Sequence, residues 1–243
     1  MKTRLSTILF ILICCFVEAD DLPRFMIKFP TRGRFEQFFT TLDLYYSHLS
    51  NKYPYHFVIS CDSDDPVMNS PEAIAKLLTY PNLSFYFGKS KSKIEACNAD
   101  LDKHMDFDVL ILASDDMIPR VVGYDDFIAY FMLGLFPDYD GVLQFDDGFQ
   151  HEAVNTFPIM GKKYFDRFGH IYDPSYKSLF CDNEMTEVSR MLNKCIYIDK
   201  VLIEHVNPWT GKVQADQLFL HNETYFWLDQ QNYIRRRALN YWL

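Results

Sequence analysis

Val109-Leu110-Ile111-Leu112-Ala113-Ser114-Asp115-Asp116-Met117-Ile118-Pro119 is an apolar run that stops abruptly at two adjacent carboxylates. Its length and composition read as a strand buried on both faces, with the aspartates delivered to the edge of a sheet. Ligands of open α/β sheets bind in the crevice beyond the C-terminal ends of the strands. Paired aspartates there are hard oxygen ligands, suited to a divalent ion such as Mn2+ or Mg2+ that carries a diphosphate. A plain Asp-rich turn gives the same local pattern, because Asp is common in turns.

Reading outward, strands and helices alternate. A first strand at Phe25 to Phe29 ends in Pro30-Thr31-Arg32-Gly33-Arg34, and Phe35, Phe38, Phe39, Leu42, Tyr45, Tyr46 and Leu49 then recur at helical spacing. His56 to Ser60 is a second strand, closed by Cys61-Asp62-Ser63-Asp64-Asp65-Pro66. Ser70 caps a helix from Pro71 to Leu78, with proline at its first position. Leu83 to Phe87 is a third strand, Lys93 to Met105 a helix, and Val109 to Ala113 the fourth strand. This order predicts a mostly parallel sheet with right-handed crossovers, whose strand ends converge on one side. Further on, Gly141 to Phe145 is a strand leading into Asp146-Asp147-Gly148, and Asn155 to Gly161 is extended before a Lys162 to Phe168 segment. Asp182 begins a helix to Leu192, two short strands at Cys195 to Ile198 and Val201 to Glu204 reach His205, and an amphipathic helix spans Ala215 to Leu239.

The chain has 243 residues, 49% hydrophobic and 17% aromatic, so a sizeable core is expected and disorder is not. Its formal net charge of -9 argues against a nucleic acid as partner, since such binders need a basic footprint. Lys2 and Arg4, the apolar run Leu5 to Val17, and Val17-Glu18-Ala19 read as a signal peptide cut after Ala19, which would place the protein in the secretory pathway. A short uncleaved anchor and a true start at Met26 are the alternatives, and the last would leave the protein cytoplasmic. Cys14 and Cys15 belong to this leader. Cys61, Cys97, Cys181 and Cys195 fit no zinc spacing and read as isolated thiols, with pairing in any of three ways as the alternative in a lumenal protein. Asn82-Leu83-Ser84 and Asn222-Glu223-Thr224 are glycosylation sequons that matter only in a lumenal protein.

A basic turn after strand one, acids after strand two, a Lys93-x-x-x-x-Asn98 helix, Ser114-Asp115-Asp116 after strand four, the acids Asp182 and Glu184 at a helix start, and then His205 follow in a fixed order. Over residues 25 to 206 this order resembles glycosyltransferases of the GT-A fold, most similar to the family-two type. Ser114-Asp115-Asp116 is similar to that family's Asp-x-Asp motif, except that Ala113 stands where the first Asp is usual. The resemblance implies one domain over residues 20–243, with a nucleotide-binding half at 25–120 and an acceptor-side half, including the C-terminal helix, at 121–243. It implies transfer of a sugar from a nucleotide-diphosphate donor to a hydroxyl of a glycan, lipid or protein acceptor, with inversion. Donor contacts would come from Thr31, Arg32, Asp62, Asp64, Lys93, Asn98, Ser114, Asp115 and Lys212. Asp115, Asp116 and His205 would hold the metal. Asp146, Asp147 and Trp209 would border the acceptor.

The chemistry agrees with these roles. A diphosphate leaving group develops charge that a divalent ion stabilises, and the acceptor hydroxyl needs a base. Glu184 is the expected base, and Asp182 the expected capping residue of its helix, with the reverse as the alternative. Pro208-Trp209-Thr210-Gly211-Lys212 reads as a mobile lid over the diphosphate. Arg32 and Arg34 read otherwise as solvated loop residues. Arg235, Arg236 and Arg237 with Trp242 read as an exposed basic helix end, open to a membrane surface or a partner. Two other functions fit the same acids: a nucleotidyltransferase, against which the lone Gly33 of the first loop argues, and a non-catalytic carbohydrate-binding domain, which Ala113 keeps open.

Overall fold

Strands that carry large apolar residues on both faces need cover on both faces, and the sheet of this chain has it. The structure, a computed structural model, describes residues 22–243, so the leader with Cys14 and Cys15 lies outside the described residues. The strands are β1 (Phe25–Thr31), β2 (Tyr55–Asp62), β3 (Leu83–Gly88), β4 (Val109–Leu112), β5 (Met117–Pro119), β6 (Val142–Asp146), β7 (Ile159–Gly161), β8 (Cys195–Val201) and β9 (Ile203–His205). The helices are α1 (Phe35–Ser47), α2 (Pro71–Leu77), α3 (Lys93–Asn98), α4 (Tyr124–Leu135), α5 (Lys162–Phe165), α6 (Cys181–Met191), α7 (Gln217–Glu223) and α8 (Phe226–Ala238). Seven strands form one sheet in the order β3-β2-β1-β4-β7-β6-β8. β1 is parallel to β2 and β4, β2 to β3, and β6 to β8, while β7 runs antiparallel to both its neighbours. The sheet is therefore mostly parallel, as expected. Alternation along the strands feeds two cores: Ile27, Phe29, Val109 and Ile111 pack on one side with Phe38, Leu42, Tyr45 and Ile128, and Met26, Leu110 and Met160 pack on the other with Ile94, Tyr164 and Met185.

Several elements depart from the sequence reading. The Lys93 to Met105 helix stops at Asn98: Asp100 takes a left-handed backbone (φ 61°), and a short 3-10 turn follows at Leu101–His104. The cause is a buried polar cluster. Asp100 accepts hydrogen bonds from the Ser60 hydroxyl (2.5 Å) and the Lys103 ammonium (2.5 Å), and Ser60 in turn accepts one from Lys28, which is fully buried in β1. An unpaired buried ammonium is costly, so this network outweighs one more helical turn. Burial pulls the Lys28 pKa down to about 8. The stretch between Arg120 and Asp140, absent from the sequence reading, forms α4, whose residues Tyr124, Ile128 and Met132 enter the core. The C-terminal helix breaks at Thr224 and Tyr225 into α7 and α8.

A small second sheet brings two distant parts of the chain together. Immediately after the Asp115-Asp116 turn the chain becomes β5, which pairs antiparallel with β9 in the register Met117↔His205, Ile118↔Glu204 and Pro119↔Ile203. The Val206 amide donates to the Asp116 carbonyl (2.8 Å) and the His205 amide to the Asp147 carbonyl (2.9 Å). Backbone pairing thus fixes residues 116 and 205 side by side. All four cysteines of the described residues are free, three of them buried.

Candidate active site

The C-terminal ends of β1, β2 and β4 and the start of α6 open into one cleft of about 990 Å³, a volume suited to a sizeable small molecule. Its far wall is the segment from Trp209 to Phe226. Of the expected site residues, Thr31, Arg32, Asp62, Asp64, Lys93, Ser114, Asp115, Asp116, Asp182, His205 and Trp209 line it.

Asp116 and His205 face each other at its floor. His205 Nε2 stands 3.6 Å from Asp116 Oδ2, too far for a hydrogen bond. Asn207 Nδ2 lies 3.2 Å from the same ring nitrogen, which suits an acceptor nitrogen with its proton on Nδ1. Nδ1 is buried without a hydrogen-bond partner, 3.9 Å from Asp147 Oδ2. The Ser114 hydroxyl donates to Asp116 Oδ1. Burial works against the Asp116 charge, but His205, Ser114 and Lys93 hold its carboxyl below the usual carboxylate range. Lys93, on the first turn of α3, is open to the cleft; desolvation lowers its pKa, and neighbouring Cys181, Cys97, Asp116 and Asp182 together raise it. Asp182, half-buried in the first turn of α6, is pushed up by burial, which Lys93 only partly offsets.

Asp115 is engaged differently. Its Oδ1 accepts from Arg34 Nη1 (2.7 Å), and its backbone carbonyl accepts from Thr41 Oγ1 (2.9 Å) and Gln37 Nε2 (3.2 Å). Burial raises its pKa to about 6, with Arg34 opposing and Asp116 adding to the rise. Arg34 is no solvated loop residue. It also forms a two-pronged pair with Asp216 (Nε 2.6 Å, Nη2 2.9 Å), the N-cap of α7, and so ties the Asp115-Asp116 turn to the far wall. Nothing in the sequence couples positions 34 and 216. The only signal for Asp216 is local: an acid placed before the apolar residues Leu218 and Phe219, as an N-cap would be.

In the first loop, Arg32 Nη1 binds Asp62 Oδ2 (2.8 Å) and Asp64 Oδ1 (2.6 Å), and Asp62 Oδ1 also accepts from the Ser90 amide (3.2 Å). Asp65, missed by the sequence reading, is buried and accepts from the Gly33 amide (2.7 Å), which fixes the loop's shape. Thr31 Oγ1 is buried without a hydrogen-bond partner.

Five expected site residues are placed elsewhere. Asn98 bridges to backbone, donating to the Tyr172 carbonyl (2.6 Å) and accepting from the Ile171 and Tyr172 amides (2.9 and 3.2 Å), so it fastens α3 to the neighbouring loop rather than facing the cleft. The Lys212 ammonium pairs with Glu204, outside the cleft lining. Asp146 accepts from the Gly148 amide, His151 Nδ1 (2.9 Å) and the Tyr197 hydroxyl (2.9 Å). Asp147 accepts from three consecutive amides, Phe149 to His151, and from Thr156 Oγ1 (2.8 Å). These two acids build the loop behind His205 and are absent from the cleft lining. Glu184 is buried and accepts from Tyr176 Oη (2.7 Å), Arg236 Nε (2.6 Å) and Arg236 Nη2 (2.7 Å). It is saturated and absent from the cleft lining, whereas Asp182 lines the cleft. Arg236 is correspondingly buried, not part of an exposed basic end.

No group of three or more His, Cys, Asp and Glu side chains forms a ready-made metal cluster among the described residues. Two donors nevertheless fit a shared ion. Ligands at about 2.1 Å from one ion, set at right angles, stand roughly 3 Å apart, close to the Asp116–His205 separation. A carboxylate oxygen and an imidazole nitrogen are a donor pair that would suit Mn2+ or Mg2+.

No protein-family model and no curated protein matches the sequence. Solved structures do match in fold. A mannosyltransferase from Pyrobaculum calidifontis, determined with GDP-mannose and Mn2+, is similar at a TM-score of 0.62 and 16% identity, over 85% of this chain and 70% of that one. TarS from S. aureus, in complex with UDP, matches at 0.57 and 13% identity over 88% and 71%. A Drosophila β1,4-galactosyltransferase 7 variant, with manganese, UDP-galactose and xylobiose, matches at 0.51 and 11% identity over 83% and 79%. With its mostly parallel sheet and its cleft at the strand ends, the chain has the GT-A fold of these glycosyltransferases.

Proposed function

We propose that the protein transfers a sugar from a nucleotide-diphosphate donor to an acceptor hydroxyl, assisted by Mn2+ or Mg2+. The observation that carries this reading is the Asp116–His205 pair, held across the β5–β9 ribbon at the cleft floor and too far apart to satisfy each other. Solved proteins of the same fold hold GDP-mannose with Mn2+ and UDP-galactose with manganese, which supports the donor class. In this reading Asp116 and His205 would hold the ion, which would supply positive charge to the diphosphate. Lys93 adds a second positive charge beside the leaving group. Thr31, Arg32 and Asp62 line the part of the cleft left for the nucleoside. The acceptor oxygen attacks the anomeric carbon, the bond from that carbon to the diphosphate oxygen breaks, and the nucleoside diphosphate leaves with the bonding pair. The acceptor proton passes to Asp182. Burial disposes that carboxyl to take a proton, and a single displacement of this kind inverts the anomeric centre. Asp115, neutralised by Arg34, orders the turn that presents Asp116.

The test is release of nucleoside diphosphate from a panel of UDP- and GDP-sugars, with and without Mn2+. Metal-dependent release from at least one donor is expected. Pyrophosphate release from a sugar phosphate and a nucleoside triphosphate would identify a nucleotidyltransferase instead. Donor binding without turnover by any acceptor-supplemented reaction would leave a non-catalytic binding domain.

A further inference from the structure

Helix α8 buries charged side chains and exposes large apolar ones. Its inward face sets polar groups beside Phe226 and Tyr233, which pack on Phe180: Asp229, fully buried, accepts from the amides of Lys177 (2.9 Å), Ser178 (2.7 Å) and Leu179 (2.8 Å), and Arg236 is bound to Glu184 and Asp173. Its outward face carries large apolar side chains among polar ones. Trp227, Gln231, Ile234 and Ala238 follow one another at spacings of four, three and four, which puts them on one side of a helix, with Leu228 and Arg235 beside them. Trp227 is 71% exposed, Ile234 59% and Leu228 56%. The chain contains three tryptophans, and all are exposed and lie in this C-terminal part: Trp209 (65%), Trp227 and Trp242 (56%). Single exposed apolar residues are ordinary, but large ones clustered along one helix face are the kind of patch that marks an interaction surface.

We infer that this face of α8, continued by Leu239 and Trp242, docks on an anionic lipid surface. Trp is the side chain best suited to the boundary between headgroups and acyl chains, being apolar with one polar tip. Cations stand next to the apolar stripe. Arg235 hydrogen-bonds Asn232 and pairs with no carboxylate among the described residues, and Arg237, 62% exposed at its side chain, pairs only with Glu187. Arg236 is buried on Glu184 and Asp173 and adds no charge to this face, so Arg235 is its unpaired cation among the described residues. A second copy fits less well, because an isologous contact would bring the arginines of both chains to one interface. Phe226 lines the cleft and the adjacent Trp227 faces out, so a lipid surface on α8 would lie beside the cleft mouth. The inference stands without the glycosyl-transfer reading.

The experiment uses the full chain and vesicles of equal parts phosphatidylcholine and phosphatidylglycerol, read by sedimentation and by tryptophan emission. Because every tryptophan is exposed, docking should move the emission to shorter wavelength, more with these vesicles than with phosphatidylcholine alone, and less at high salt. The Leu228→Ser/Ile234→Ser variant keeps all three fluorophores and changes only exposed positions, so its melting curve should match the native one while the emission shift is lost. Attachment through the apolar run at residues 5–17 would be common to both proteins. An equal shift in the variant, or no shift in the native chain, overturns the proposal. So does a concentration-dependent dimer that the two substitutions abolish, which would identify a second copy as the occupant.

Discussion

Asp182 and Glu184 are two positions apart on α6, and an α-helix turns about 200° over that interval, so the two acids face opposite ways. Which one faces the cleft depends on what packs behind the helix, and the partner behind it, Arg236, lies 52 residues further along the chain. That is why the sequence places acids at this helix start but does not assign their roles. The structure separates the two by consequence. Asp182→Asn should lower turnover by about a hundredfold or more, the usual scale for a lost general base, with donor affinity nearly unchanged. Glu184→Gln should act on stability instead. It leaves the buried Arg236 guanidinium with Asp173 as its remaining carboxylate, at a cost of about 3 kcal/mol, or roughly 6–12 °C in Tm. A melting curve and a kcat measurement on each variant check both; a full-strength Asp182→Asn enzyme would remove that residue from the chemistry.

The β5–β9 ribbon shows what a short element contributes. Three residue pairs suffice to bring Asp116 to His205, and neither strand has enough length or alternation to be read as paired from the sequence. The parallel strands are legible because each is an apolar run closed by turn residues, as at Val109 to Asp116. The break in α3 is not, because it follows from Asp100 reaching Ser60 and Lys103, and the division of α7 from α8 is equally invisible. At this scale the Arg34–Asp216 pair should latch α7. Asp216→Ala removes both the N-cap and the latch, so amide exchange across Gln217 to Glu223 should speed up while β1 and β4 stay protected; unchanged exchange in α7 would deny the latch. A second ionic tie has a pH signature. Asp140, buried just before β6, meets Arg167 Nη2 (2.5 Å) and Lys194 Nζ (2.8 Å). Burial opposes its charge, but the two cations outweigh it and lower its pKa below the ordinary value. A carboxyl with a lowered folded pKa binds protons more readily in the unfolded chain. Its contribution is therefore present above the unfolded value of about 4 and is lost as pH falls through the folded value. Asp140→Asn should flatten the fall in stability between about pH 5 and pH 2, measured by urea unfolding. An unchanged acid slope would show that this tie contributes nothing to it.

For the molecule as a whole, the order of strands and acids is enough to foresee the GT-A fold and the side of the sheet where the cleft opens. It does not reveal which acids are used up in holding the fold together. Asp146, Asp147, Asn98 and Glu184 all look like site residues in sequence because polar groups after strands and at helix starts serve structure and chemistry alike, and only their hydrogen-bond partners tell them apart. Lys212, expected on the diphosphate, is paired with Glu204 on the outer side of the ribbon. The central claim is that Asp116 and His205 together hold the ion that receives a donor diphosphate. Calorimetric titration of UDP and GDP into the protein, with and without Mn2+, tests it most directly. The native chain should bind at least one of them only when Mn2+ is present, Asp116→Asn and His205→Ala should each lose that metal-dependent binding while melting as folded proteins, and Lys212→Ala should keep it. Metal-dependent binding that survives both Asp116→Asn and His205→Ala would contradict the claim.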